Sequence, residues 1–220
     1  LSTLLISLGA CSGSKEIEDG RTAYDLKMYN LAPELLSKEL SKEDDPFIRK
    51  DMMRMIAESY QFNHQHEKAL EWYEKVLSEE MDLDILLAKG KAQMSLERYE
   101  EAIKTFERFL EEERFDNYEA KRWKTAAENA LLWKSAFTNV KVELEEKLSS
   151  SKADYAPALA RQDLVITSTR NESSGEMEYP WTGEAYGDLF RVNRAKASTT
   201  TPEAMPEPIN SIWYEGAATF

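Results

Sequence analysis

A few groups of side chains in this chain of 220 residues could do chemistry. Cys11 is the only cysteine, so it has no partner for an internal disulfide, and its thiol is left as a nucleophile that can be alkylated. His64 and His66, in "FNHQHEK", are the only histidines. His-x-His can hold a metal on a strand, but two imidazoles with no cysteine nearby are a weak ligand set. Here the pair falls in a turn between two helices. The acid runs Glu100-Glu101 and Glu111-Glu112-Glu113 lie on helices and read as solvated faces, whereas catalytic carboxylates must oppose one another in a cleft. Glu172, Glu176, Glu178, Glu184 and Asp188 are oxygen donors without the regular spacing of a calcium loop. No glycine-rich loop is built to cradle a phosphate, and no serine–histidine–aspartate arrangement has supporting context. The residues ask for no cofactor, no metal and no catalytic role. Tyr179, Trp181 and Tyr186 are different: aromatic side chains on a loop suit protein or glycan contacts, or pack on the strands beside them.

The surroundings of Cys11 give it a role. Residues 1–10, "LSTLLISLGA", are apolar and uncharged, too short to span a bilayer, and fit the core and small-residue end of a secretory signal. The basic leading region and initiator methionine are missing, so residue 1 is expected not to be the true start. "LGAC", Leu8 to Cys11, resembles the lipobox of bacterial lipoproteins. That resemblance implies cleavage before Cys11 and lipidation of its sulfur and amine. Each buried methylene contributes about 0.8 kcal/mol, so several chains anchor far better than one.

The charge balance limits partners. A net charge of −13 argues against nucleic acid, whose binding relies on Lys and Arg neutralising phosphates, and against adhesion to an anionic membrane surface. Membrane contact is therefore expected through the lipid alone. A charged fraction of 31% describes a soluble body once the leader is removed.

The elements that must carry these residues fall into two parts. Residues 15–148 have helical periodicity and hold only two prolines, Pro33 and Pro46. "FIRKDMMRMIAESYQFNHQHEKALEWYEKVLSEE" and "DLDILLAKGKAQMSLERYEEAIKTFERFLEEE" align, with Ala57 on Gly90, Ala69 on Ala102, Tyr73 on Phe106 and Val76 on Phe109. The spacing is close to the roughly 34-residue tetratricopeptide period, and "ERYEEAIKTFERFLE" resembles the second helix of that repeat. Small residues on both helices allow close packing, and Tyr73 and Phe106 fill the space between hairpins. A looser copy places Tyr29, Ala32 and Leu36 at the positions of Tyr99, Ala102 and Phe106. Repeats are expected at about 15–46, 47–80 and 81–114, followed by an amphipathic helix over 117–137 and a shorter helix over 138–148. Stacked hairpins of this kind form a concave surface that binds peptides or proteins.

After residue 148 the pattern changes. Ser149, Ser150, Ser151 and Pro157 break the helix, and "DLVITSTR" and "DLFRVNR" read as short strands joined by a long loop. "SKADYAPALARQDLVITSTR" resembles the opening blade of TolB-like propellers, whose strands end in Thr-Ser-x-Arg, here Thr167 to Arg170. Ile209-Asn210-Ser211 and Glu215 to Phe220 resemble the start of a second blade, and a propeller needs about four or more blades to close. The expected organisation is a signal remnant at 1–10, a tetratricopeptide helical domain at 11–148, and the first blade and start of the second at 149–220.

Lipobox, tetratricopeptide repeats and TolB-like strands in that order resemble the OmpA-family outer-membrane lipoproteins of Bacteroidota. The resemblance implies a non-catalytic scaffold, lipid-anchored in the outer membrane and facing the periplasm. It would hold envelope or secretion-complex proteins through the solenoid, and reach peptidoglycan only through a C-terminal domain absent from this sequence. Two alternatives remain open. The chain could be the leading part of a propeller-containing hydrolase or peptidase, or a nutrient-uptake lipoprotein whose repeats frame a glycan site.

Overall fold

The computed structural model describes residues 17–113, 115–136, 139–170 and 178–219. Cys11 and the apolar leader lie outside them, as do Glu172 and Glu176. Among the described residues, seven helices precede a set of antiparallel strands. No described helix is long and apolar enough to cross a membrane.

The helices pair as hairpins: α1 (Gly20–Asp25) with α2 (Ala32–Leu40), α3 (Pro46–Phe62) with α4 (His66–Glu79), and α5 (Leu83–Ser95) with α6 (Tyr99–Glu112). A last helix, α7 (Tyr118–Ser135), packs on α6 and touches α5. The first helix of each pair and α7 start at a side-chain cap. Asp19, Asp45, Asp82 and Asn117 accept from backbone N–H groups of the first turn, and Pro46 opens α3.

The second helices α4 and α6 have no side-chain cap. Their entry is set by the preceding turn instead. Lys27, His64 and Glu97 each have a positive φ, near 60°, 56° and 56°. After each, the next N–H reaches back into the first helix: Met28 to the Ala23 carbonyl, Gln65 to Tyr60 and Arg98 to Gln93. These are three copies of one helix-terminating turn, made with non-glycine residues at the left-handed position. His64 is one of the three.

The core repeats one contact. Gly90 packs so closely on the Phe106 ring that an added Cβ would overlap it, and Gly20 stands in the same way against Leu36. Ala57 and Tyr73 hold the corresponding places and are fully buried. Ala69, Ala102, Val76 and Phe109 are buried as the alignment requires. Phe106 also meets Ala127 and Trp123 of α7, which carries the stacking beyond the third hairpin.

Residues 139–148 are not the short helix expected of them: they run without helix into a turn at 146–148. Their apolar residues Val140, Val142 and Leu144 alternate with charged ones, a period of two that suits extended chain and gives a helix no apolar face.

The strands form a four-stranded antiparallel meander, β1 (Asp154–Ala160), β2 (Asp163–Ser168), β5 (Asp188–Asn193) and β6 (Glu203–Ala204) in that order. A separate hairpin, β3 (Glu178–Tyr179) and β4 (Glu184–Ala185), is inserted between β2 and β5. The sheet does not close on itself among the described residues. β1 is not among the short strands expected from the sequence, where Pro157 is read only as a helix breaker. It lies at the sheet edge with a register shift between Tyr155 and Ala158, where a residue without an N–H is tolerated. Val165, Ile166, Phe190 and Val192 form the buried apolar side chains of the sheet.

Candidate functional site

The first helices α1 and α3 touch, as do α5 and α7, and polar side chains bridge them. Arg21 of α1 pairs with Asp51 of α3 at 2.5 Å, and Arg54 reaches both Asp51 at 2.7 Å and Glu58 at 3.1 Å. The Tyr24 hydroxyl donates to Glu58. On the other pair, Lys91 meets Glu119 at 2.6 Å and lies over the Trp123 ring. Burial raises the Tyr24 phenol above its ordinary range, and the Glu58 carboxylate adds to the rise. Burial opposes ionisation of Asp51, but Arg54 and Arg21 outweigh it and hold the carboxyl below its usual value. Paired charges of both signs thus run along the first helices.

A second feature lies where the inserted hairpin meets the helices. Trp181 sits edge-on to Tyr29 with centroids 4.8 Å apart and donates its indole N–H to the Phe62 carbonyl oxygen at 2.9 Å. Gly183, with a positive φ of 71°, lies directly on the Asn30 amide, where any Cβ would collide. Tyr179 stacks on Trp181, and Tyr186 leans towards both Tyr179 and Tyr214. The three loop aromatics are thus brought into one row. Trp181 turns to the helical repeats, a third destination besides partner and own sheet, while Tyr179 stays 41% exposed.

Beside this joint is a cavity of about 530 Å³, lined by Gln61, Phe62, His64, His66, Ser95, Tyr179, Trp181 and Thr182. The lining contains no carboxylate, lysine or arginine. Burial, with His64 alongside, lowers the His66 pKa and favours its neutral form. Gln61 Oε1 and His66 Nδ1 are buried without a hydrogen-bond partner among the described residues.

The sheet carries a tight polar network. Asp154 Oδ1 accepts from Ser168 Oγ at 2.6 Å and Arg170 Nη2 at 2.7 Å, while its Oδ2 accepts from the N–H and hydroxyl of Ser150. Arg170 is nearly buried and also donates to the Leu148 carbonyl, over the Phe190 ring. So the Arg of Thr-Ser-x-Arg ties the end of β2 to the chain that enters β1. The other conspicuous acids disperse: Glu184 pairs with Lys152 and accepts from Thr169, and Asp188 is buried at the start of β5. No group of three metal-ligating side chains forms among the described residues. Sequence reasoning missed Arg21, Asp51, Arg54 and Lys91. Their signal was only their recurrence on the exposed side of each first helix.

No curated protein matches the chain. A family model, tetratricopeptide repeat, matches residues 83–116, the hairpin of α5 and α6. Repeats of that kind mediate protein–protein interactions, so the helical part points to an interaction role.

Proposed function

We propose that the protein is a non-catalytic scaffold of the bacterial envelope, held to the outer membrane by lipid on Cys11 and facing the periplasm. Its hairpins bind a protein partner along the first helices. Its strands form the first blade of a TolB-like propeller, with a second blade starting near Ile209. The arrangement is similar to the PorE component of the type IX secretion system of Bacteroidota, and the partner is accordingly an envelope or secretion-complex protein. The observation that carries this reading is the tetratricopeptide match at 83–116, with its small-on-large contact repeated at Gly20, Ala57 and Gly90. The order of lipobox, repeats and TolB-like strands supports the envelope assignment.

The test is recovery of the native protein from membranes in mild detergent, with mass spectrometry of co-purified proteins and of its N-terminal peptide. A lipidated Cys11 together with envelope partners supports the scaffold. An unmodified Cys11 with no envelope protein bound contradicts it.

One observation favours a second reading, capture of glycans for uptake. The cavity at Trp181 joins aromatic rings to uncharged polar groups, a lining that suits a neutral sugar. Binding of neutral oligosaccharides that is lost in Tyr179→Ala would support it, and absence of binding across such a panel would remove it.

A further inference from the structure

Residues 148–158 and 209–219 follow one pattern. Leu148, Ser150, Asp154 and Ala156 of the first stretch have Ile209, Ser211, Glu215 and Ala217 at matching places in the second. Both fold alike. Ser150 Oγ donates to Asp154 Oδ2 at 2.8 Å, and Ser211 Oγ donates to Glu215 Oε1 at 2.6 Å, each pair four residues apart. The Lys152 N–H closes on Ser150 Oγ and the Trp213 N–H on Ser211 Oγ, both at 3.1 Å.

The copies differ at the acid's second oxygen. In Asp154 it receives Ser168 Oγ and Arg170 Nη2, groups carried by the strand that returns alongside β1. In Glu215 it is Oε2, buried and without a donor among the described residues. A buried carboxylate oxygen left unpaired is unfavourable, so this one is suited to a cation. The segment is already placed: the Glu215 N–H donates to the Gly187 carbonyl at 2.8 Å, and the Thr167 hydroxyl donates to the Gly216 carbonyl at 3.4 Å. Beside it Ile212, Trp213 and Tyr214 leave half or more of their surface open, an apolar flank for a covering element.

We propose that Glu215 is the acidic half of a second latch of the Asp154–Ser168–Arg170 kind. Residues 215–219 would receive an antiparallel strand ending in Ser-x-Arg, supplied by the next blade of the same protein. The inference rests on the propeller reading and adds the side chains that join its units.

Two experiments test it. In the 220-residue chain, Asp154→Asn should lower Tm by about 3–10 °C, the scale for losing charge-assisted hydrogen bonds in a protein of this size, while Glu215→Gln should leave Tm unchanged or raise it. A loss with Glu215→Gln equal to that of Asp154→Asn would overturn the proposal, because Glu215 would then be paired within this chain. In the natural protein, a benzoylphenylalanine at Ala217 should photo-cross-link to a strand of the same polypeptide that ends in Ser-x-Arg. There, Glu215→Arg should lower Tm, and exchanging that Arg for Glu should restore it. A cross-link to a same-chain strand without Ser-x-Arg, or failure of the exchange to restore Tm, would overturn the latch and leave the propeller. No cross-link within the polypeptide would overturn both.

Discussion

Trp181 of the inserted hairpin donates its indole N–H to the carbonyl oxygen of Phe62, the last residue of α3, across 2.9 Å. This bond, with the Tyr29 and Phe62 rings packed around the indole, ties the strands back to the first two hairpins although the chain leaves the helices at α7. Trp181→Phe should keep most of the ring packing and lose the hydrogen bond, at about 1 kcal/mol. Trp181→Ala should also free the joint, seen as faster amide exchange at 28–31 and 61–65 and faster proteolysis between 139 and 148. Unchanged exchange in Trp181→Ala would show that the joint does not hold in solution.

Gly90→Ala tests the repeat core. Alanine favours a helix over glycine by about 1 kcal/mol, but its methyl must displace the buried Phe106 ring, and overpacking costs about 1–3 kcal/mol. A net loss is expected in chemical denaturation. Adding Phe106→Leu should make room, so the double variant should lose less than the sum of the two single ones.

Asp154 sets an acid limit. Burial works against its charge, but Ser168, Arg170 and Ser150 more than compensate, and the folded-state pKa lies below its ordinary value of 3.8. A carboxyl with a depressed folded pKa gives stability that is complete above its unfolded value and lost as pH falls through the folded one. Stability should therefore fall on acidification below about pH 4. Asp154→Asn should remove that contribution and flatten the dependence, followed by tryptophan fluorescence from pH 6 to pH 2. An unchanged acid transition would contradict the role given to the Asp154–Arg170 pair.

His66 has a folded pKa lowered first by burial and then by His64. Its contribution to stability is present above the unfolded value of 6.5 and lost as pH falls towards the folded one. NMR titration of the imidazole should give a midpoint below 6.5, and His64→Ala should move it part of the way up. A midpoint at or above 6.5 would contradict the buried, neutral placement.

The helical hairpins were legible because their packing is local and periodic: Ala57, Ala69, Tyr73, Gly90, Ala102 and Phe106 carry the contact in their spacing alone. The turn at His64 and His66 was legible too, but not how it is made, because Lys27, His64 and Glu97 take a left-handed backbone without the glycine that announces it. The stretch over 139–148 looked helical by its charged residues, while the alternation of Val140, Val142 and Leu144 pointed the other way. β1 was not singled out, and the Pro157 within it is tolerated at the edge position that the tertiary fold assigns to it. The destination of Trp181 was beyond any local reading, since Phe62 lies 119 residues away.

The proposed binding of a protein partner along the first helices is open to a direct test. The most direct measurement compares partner recovery by the native protein and by the Arg21→Ala/Lys91→Ala variant in mild detergent, with Tm measured alongside. Both residues make partly exposed ion pairs, each worth about 0–1 kcal/mol, so the fold should persist with little change in Tm. Loss of the partner from the variant is expected. Equal recovery of the same partner by both proteins would contradict it.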